Sequence, residues 1–234
     1  MSRQLHPLLA EVLERGYIEL EGRRYELHSN IPVEECELLY RQVEAVGATE
    51  ALEIGMAYGV ASLALADALN SASKTPKLIS IDPNQHGDWD GVAIRQLERA
   101  GFSQFCELIE ESSHFALPRL VESGCRVDLA LIDGWHTFDH CLVDFFFVDL
   151  LLRPGGVVVL DDTWMPGVRA VAEFALRNRA YDLVDSVPLR LSRRASLLRT
   201  VRARSRLLPP VAAVALRKQR DDDRPWHHFQ SFDA

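Results

Sequence analysis

The chain has 234 residues, of which 47% are hydrophobic and 26% charged, and its net charge is −8. This length suits one domain with a sizeable core, and the acidic balance argues against wholesale binding of nucleic acid. No apolar run approaches the roughly 18 to 20 residues of a membrane-spanning helix, so we expect no membrane span.

Four cysteines lie far apart in the sequence, at positions 36, 106, 125 and 141. They form no CxxC pair and lack zinc-ligand spacing. The N-terminal stretch carries acids among its apolar residues and has no small-residue cleavage pattern, which argues against a signal peptide. We therefore expect reduced thiols in a cytoplasmic protein.

Residues 1–46 predict a helical cap, because "PVEECELLYRQVEAVG" repeats its apolar residues with a helical period and ends at Gly47. After it, short apolar runs alternate with helical patterns. The predicted strands are 49–55, 77–82, 106–111, 127–133, 155–162 and 181–187, with one further edge strand at 194–201. The predicted helices between them are 59–70, 90–101, 114–123, 137–152 and 165–179.

This alternation predicts an α/β fold over residues 47–201. The fold is Rossmann-like and doubly wound, with a mostly parallel seven-stranded sheet and helices on both faces. Residues 202–234 contain paired prolines and an acidic run, and we expect them to form an extension beyond the core. Helical extensions at both ends are compatible with a homodimer.

A basic segment lies near the C-terminus, where Val187 to Arg220 contains ten Lys or Arg residues and no acid. We favour a solvated, partly helical tail for this segment. Contact with an acidic substrate, a membrane surface or the acidic body of the protein is the alternative.

A glycine turn follows the first predicted strand of the core, in "EIGMAYG". Gly55 and Gly59 let the backbone turn sharply and approach a ligand, although such turns also occur for structural reasons alone. The stretch matches neither GxGxxG nor a phosphate loop. Asp82 ends the next strand, where an acid can bind a ribose diol. Glu53 and Asp82 would together repel a pyrophosphate, which favours S-adenosylmethionine over NAD.

Three carboxylates end the fourth and fifth predicted strands of the core, those of Asp133, Asp161 and Asp162. At one sheet edge they would repel one another and raise their pKa values unless a cation lies between them. Oxygen ligands favour Mg²⁺, with Ca²⁺ or Mn²⁺ as alternatives. Asp162 would otherwise cap the following helix.

His136 follows Asp133 by three residues. A neutral imidazole beside a divalent ion can take the proton of a metal-bound hydroxyl. Away from a metal, a histidine near a helix start is more often a capping or solvent-facing residue. We therefore predict Asp133 and His136 as catalytic residues.

The motifs "EIGMAYG", "IDP", "IDGWHTFDH" and "LLRPGGVVVLDD" occur in this order. Together they resemble class I S-adenosylmethionine-dependent methyltransferases. The resemblance is greatest to the metal-dependent O-methyltransferases typified by catechol O-methyltransferase and by the macrolide-sugar enzymes, and it covers roughly residues 35–200. It implies that Glu53, Gly55 and Gly59 hold the methionine end of the cofactor and that Asp82 holds its ribose. The other implied cofactor-binding residues are Met56, Ala57, Ser113, His114, Asp133 and Trp135.

The same resemblance implies that Asp133, Asp161 and Asp162 are the metal ligands and that His136 is the base. The catechol enzyme has a lysine in place of His136, whereas the macrolide-sugar enzymes have a histidine. Asp162 is a departure, because the catechol enzyme has an asparagine there. The extra negative charge would tighten metal binding and weaken the lowering of the acceptor's pKa.

The expected function is metal-dependent O-methylation of a small-molecule hydroxyl, on a sugar, a natural product or a catechol-like diol. The alternatives are a non-catalytic protein that binds S-adenosylmethionine and a metal-dependent hydroxylase-type enzyme on the same fold. Methylation of RNA or DNA would use the basic segment. The chain lacks the aromatic-Pro-Pro-aromatic motif of amino-methylating enzymes, so we expect no nucleic-acid partner.

Overall fold

The computed structural model describes residues 5–189 and 208–231. Its helices are α1 Pro7–Arg15, α2 Val33–Val46, α3 Val60–Ala72, α4 Val92–Arg99, α5 Ser113–Glu122, α6 Phe138–Leu151 and α7 Pro166–Asn178. Its strands are β1 Tyr17–Leu20, β2 Arg23–Glu26, β3 Glu50–Ile54, β4 Lys77–Ile81, β5 Cys106–Ile109, β6 Val127–Ile132, β7 Leu152–Leu160, β8 Tyr181–Pro188 and β9 Val211–Lys218.

A seven-stranded sheet forms the centre, with the strand order β5-β4-β3-β6-β7-β9-β8. The strands from β5 to β7 pair in parallel, and β9 is antiparallel to both of its neighbours. The predicted doubly wound fold is thereby confirmed. The chain leaves β3 toward one side for β4 and β5 and toward the other for β6, so a crevice is expected between the carboxyl ends of β3 and β6.

Two hydrophobic cores cover the two faces of the sheet. Helices α1 to α4 pack on one face and α5 to α7 on the other. Successive strand residues point to opposite faces, as in β3, where Ala51 belongs to the first core and Leu52 to the second. This burial on both faces explains the uninterrupted apolar runs of the central strands.

The strand β9 differs from the sequence expectation. The core was expected to end at residue 201, with an extension from 202 onward, yet Val211–Lys218 lies inside the sheet between β7 and β8. Its antiparallel insertion depends on pairing with strands far away in sequence, which a local pattern does not reveal. The edge strand predicted at 194–201 falls outside the described residues.

The N-terminal cap also differs, because it is not helical throughout. A two-stranded hairpin, β1–β2, separates α1 from α2. Its turn residues Glu21 and Gly22 have φ angles of 52° and 77°, the conformation of a two-residue hairpin turn. Within the described residues, no helix is long and apolar enough to cross a membrane.

We expect a chain truncated after residue 207 to lose cooperative folding, because β9 supplies the ladders to both β7 and β8. A chain ending at Arg224 keeps β9 and the ion pair between Lys218 and Asp221, and it should still melt cooperatively. Circular dichroism during thermal unfolding measures the cooperativity of the transition in both truncated chains. A cooperative transition in the shorter chain would show that β9 is dispensable.

Candidate active site

A cavity of about 1170 Å³ opens at the carboxyl ends of β3, β4, β6 and β7. The linker before α2, residues 28–32, lines another side of it. Pockets for a single drug-sized ligand measure roughly 300 to 1,000 Å³. The cavity therefore has room for a cofactor together with a second molecule.

The turn after β3 is held against the end of β6. Gly55 has a φ of 89°, and a Cβ atom there would overlap the carbonyl oxygen of Asp133, so only glycine fits. The carboxylate of Asp82 accepts the backbone N–H groups of Met56 and Ala57 at 3.0 and 2.9 Å. All five of these residues line the cavity.

Glu53 and Gly59, two of the predicted cofactor-binding residues, do not line the cavity. Glu53 is fully buried, and its Oε2 accepts hydrogen bonds from Ser62 and Ser80 at 2.7 and 2.6 Å. A Cβ atom on Gly59 would lie 2.7 Å from the Cβ of Ala93 on α4. Both residues therefore support the turn from behind instead of forming its surface.

Ser113, His114 and Trp135 line the far end of the cavity, and His140 joins them. Asp144 on α6 is buried beneath this end, next to Ser113. Burial raises the pKa of Asp144 to about 6. Asp144 was not predicted from the sequence, because nothing in the sequence of α6 indicates which of its acids lies under a loop.

Asp133, Asp161, Asp162 and His136 meet at the opposite end. The Nε2 atom of His136 lies 3.5 Å from Asp133 Oδ1 and 3.3 Å from Asp162 Oδ2. That nitrogen is buried and has no hydrogen-bond partner. Burial, and then the charges of Asp161 and Asp162, raises the pKa of Asp133 well above its ordinary value. Burial also raises the pKa of Asp161.

Glu35 is a fourth carboxylate at this end that the sequence did not predict as a site residue. It lies in the first turn of α2 and is 5% exposed. Burial, followed by the charge of Asp161, raises its pKa to about 10. Its only sequence signal is an acid in phase with the buried positions Leu39 and Val43 of the same helix.

The donor set suits a hard divalent cation, because it consists of four carboxylates beside an unpartnered imidazole nitrogen. As the side chains stand, however, no group of three His, Cys, Asp or Glu residues converges closely enough to hold a metal ion anywhere in the described part of the chain. The carboxyl group of Asp161 instead interacts with those of Glu35 and Asp133, and its charge raises the pKa of both.

The buried carboxyl of Glu53 gives a testable pH dependence. Burial raises its pKa from an ordinary value of about 4.5 to about 7, against hydrogen bonds from Ser80 and Ser62 that lower it. Its stabilising contribution is therefore complete below pH 4.5 and is lost as the pH rises to 7. The loss amounts to about 3 kcal/mol.

We expect Glu53→Gln to remove this part of the pH dependence. Urea unfolding at about pH 5 and about pH 8 measures it as the difference between wild type and variant, with the exposed Glu122→Gln as the matched control. Parallel stability curves for wild type and Glu53→Gln would contradict the assignment.

Comparison with known proteins agrees with the fold. Residues 52–163 match a family described as a methyltransferase domain. The chain is 28% identical over 163 residues to catechol O-methyltransferase B of Danio rerio, covering 68% of this chain and 59% of that protein. It is 26% identical over 153 residues to a flavonoid 3′,5′-methyltransferase of Vitis vinifera, covering 64% of this chain and 62% of that protein. The chain thus spans about three fifths of the length of these relatives.

Solved structures show the same fold. The O-methyltransferase TomG of Streptomyces achromogenes, involved in tomaymycin synthesis and solved with S-adenosylmethionine, superposes with a TM-score of 0.65 at 18% identity. That match covers 93% of this chain and 91% of the other. An O-methyltransferase of Bacillus cereus, solved with S-adenosylhomocysteine, gives a TM-score of 0.64 at 18% identity and covers 90% of each chain. Residues 52–163 thus match the methyltransferase-domain family, and the chain has the fold of these solved O-methyltransferases.

Proposed function

We propose that the protein is an S-adenosylmethionine-dependent O-methyltransferase that methylates a hydroxyl group of a small molecule. One observation carries the proposal. The Nε2 atom of His136 is buried at the cavity, lacks a hydrogen-bond partner and lies between Asp133 and Asp162. An imidazole in this setting is suited to accept a proton from a bound hydroxyl.

The cofactor would occupy the cavity between the glycine turn and the wall that contains Trp135. Gly55, Met56 and Ala57 would face its methionine part. Asp82 would bind the ribose through Oδ1, which accepts only the N–H of Asn84 at 2.8 Å and has a lone pair left. Ser113 and His114 would lie beside the adenine, in agreement with their place at the far end of the cavity.

When bound, S-adenosylmethionine supplies an electrophilic methyl group on a positively charged sulfur. The residues of this chain position the acceptor and handle its proton. His136 Nε2 would take the proton that the acceptor hydroxyl loses when its oxygen receives the methyl group. The carboxylates of Asp133 and Asp162 then stabilise the imidazolium, because each lies within 3.5 Å of that nitrogen.

We further propose that Asp133, Asp161 and Asp162 hold a divalent cation, Mg²⁺ in the first instance, with Glu35 next to Asp161. The crowding of Glu35, Asp133 and Asp161 supports the proposal, because burial and then the charges of neighbouring acids raise their pKa values, and a cation would relieve that repulsion. When bound, the cation would lower the pKa of the acceptor hydroxyl. The acceptor would be a vicinal diol on a sugar, on a natural product or on a catechol-like ring.

We expect His136→Gln to slow methyl transfer by about 10²- to 10⁴-fold, since general-base catalysis contributes on that order. The affinity for S-adenosylmethionine should be retained. Single-turnover rates on a panel of sugar, catechol and flavonoid diols, together with calorimetry, measure the two effects. The exposed His227→Gln serves as the matched control. A variant at position 136 with the wild-type rate would rule out the assigned base.

We expect a chelator to abolish turnover and Mg²⁺ to restore it, and we expect Asp133→Ala to be inactive with any metal. The exposed Asp88→Ala is the control for loss of one negative charge. Full activity in excess chelator would exclude metal dependence while leaving methyl transfer in place. Tight cofactor binding without turnover of any acceptor would instead favour a non-catalytic binding protein.

A further inference from the structure

Trp164 contacts one of the proposed metal ligands. Its indole Nε1–H donates a hydrogen bond to Asp162 Oδ1 at 2.6 Å. The other oxygen of that carboxylate, Oδ2, is the one that lies 3.3 Å from His136. Trp164 is 45% exposed and lines the cavity, so its ring is part of the cavity wall.

The turn that carries Trp164 is fixed by strand β9. Thr163 is fully buried, and its backbone N–H donates to the carbonyl oxygen of Ala212 at 2.8 Å. Its hydroxyl donates to the carbonyl oxygens of Val211 and Ala212 at 3.1 and 3.0 Å. The backbone immediately before Trp164 is therefore tied to the start of β9.

The same turn closes on itself through Asp162. The N–H of Met165 donates to the carbonyl oxygen of Asp162 at 2.8 Å. Asp162 has a φ of 51°, a left-handed conformation that Asp adopts more readily than most residues. The indole N–H and the carboxylate are thus brought together by the backbone and not by chance surface contact.

We propose that Trp164 is a positioning residue for the metal site. Its N–H occupies Oδ1 of Asp162 and fixes the carboxylate, so that Oδ2 is left for a cation. The inference rests on the metal site of the proposed function.

Hydrogen-bond donors behind a metal ligand orient it and tune its strength, and removing one typically weakens metal binding about 10- to 100-fold. Trp164→Phe keeps an aromatic ring and loses the donor. Trp164→Gln keeps an N–H donor and loses the ring. The two variants therefore separate a role of the hydrogen bond from a role of the ring in wall packing.

Mn²⁺ binding, followed by the electron paramagnetic resonance signal of the free ion, provides a readout that is independent of turnover. We expect Trp164→Phe to raise the dissociation constant for Mn²⁺ about 10- to 100-fold. Trp164→Gln should raise it less. Affinity for S-adenosylmethionine and the melting temperature should match wild type in both. The fully exposed Trp226→Phe is the matched control and should bind Mn²⁺ like wild type.

Two outcomes would overturn the inference, and they are distinguishable. If the unsubstituted protein does not bind Mn²⁺, the proposed metal site fails and the role of Trp164 fails with it. If the unsubstituted protein binds Mn²⁺ and Trp164→Phe binds it equally well, or better than Trp164→Gln does, the role of Trp164 fails while the metal site stands.

Discussion

The close approach of the turn after β3 to the end of β6 is the constraint on which the site depends. Gly55 packs directly on the carbonyl group of Asp133, which leaves no room for a side chain. The backbone continues the sheet at the same place, with the N–H of Gly55 bonded to Ile81 and the N–H of Asp133 bonded to Ile54. This arrangement brings the turn and the proposed catalytic residue Asp133 side by side before any ligand binds.

Three of the acids at this edge share one origin. Asp82, Asp133 and Asp161 each follow directly after the last residue of a parallel strand. Each donates its backbone N–H to the last residue of the neighbouring strand. Because the backbone at these residues is still in register with the sheet, the three side chains occupy equivalent positions along its carboxyl edge. A set of carboxylates arranged in this way costs free energy when ionised together, and protons or a cation would have to offset that cost.

Much of this was predictable because parallel strands with crossover helices leave few topologies, and their carboxyl ends lie at one edge. The acids at strand ends and His136 could therefore be placed from spacing alone. Glu35 could not be placed at the site from the sequence. Helical periodicity predicts that one face of α2 is buried, but it does not predict which part of the protein buries that face. The β1–β2 hairpin was missed because four-residue strands give a weak signal, and β9 because its pairing is non-local. The hydrogen bond from Trp164 follows from the left-handed turn at Asp162, which sequence does not reveal.

The insertion of β9 between β7 and β8 has a consequence for the order in which the protein becomes functional. Thr163, next to the third proposed ligand, is bonded to residues 211 and 212 near the end of the chain. The proposed cofactor turn needs only β3, β4 and their neighbours, all of which precede residue 134. During synthesis the ribosome therefore releases a segment with every element of that turn long before the end of the cavity with the proposed metal ligands can close. Among the described strands, β9 emerges last, and it completes the half of the cavity to which we assign the chemistry.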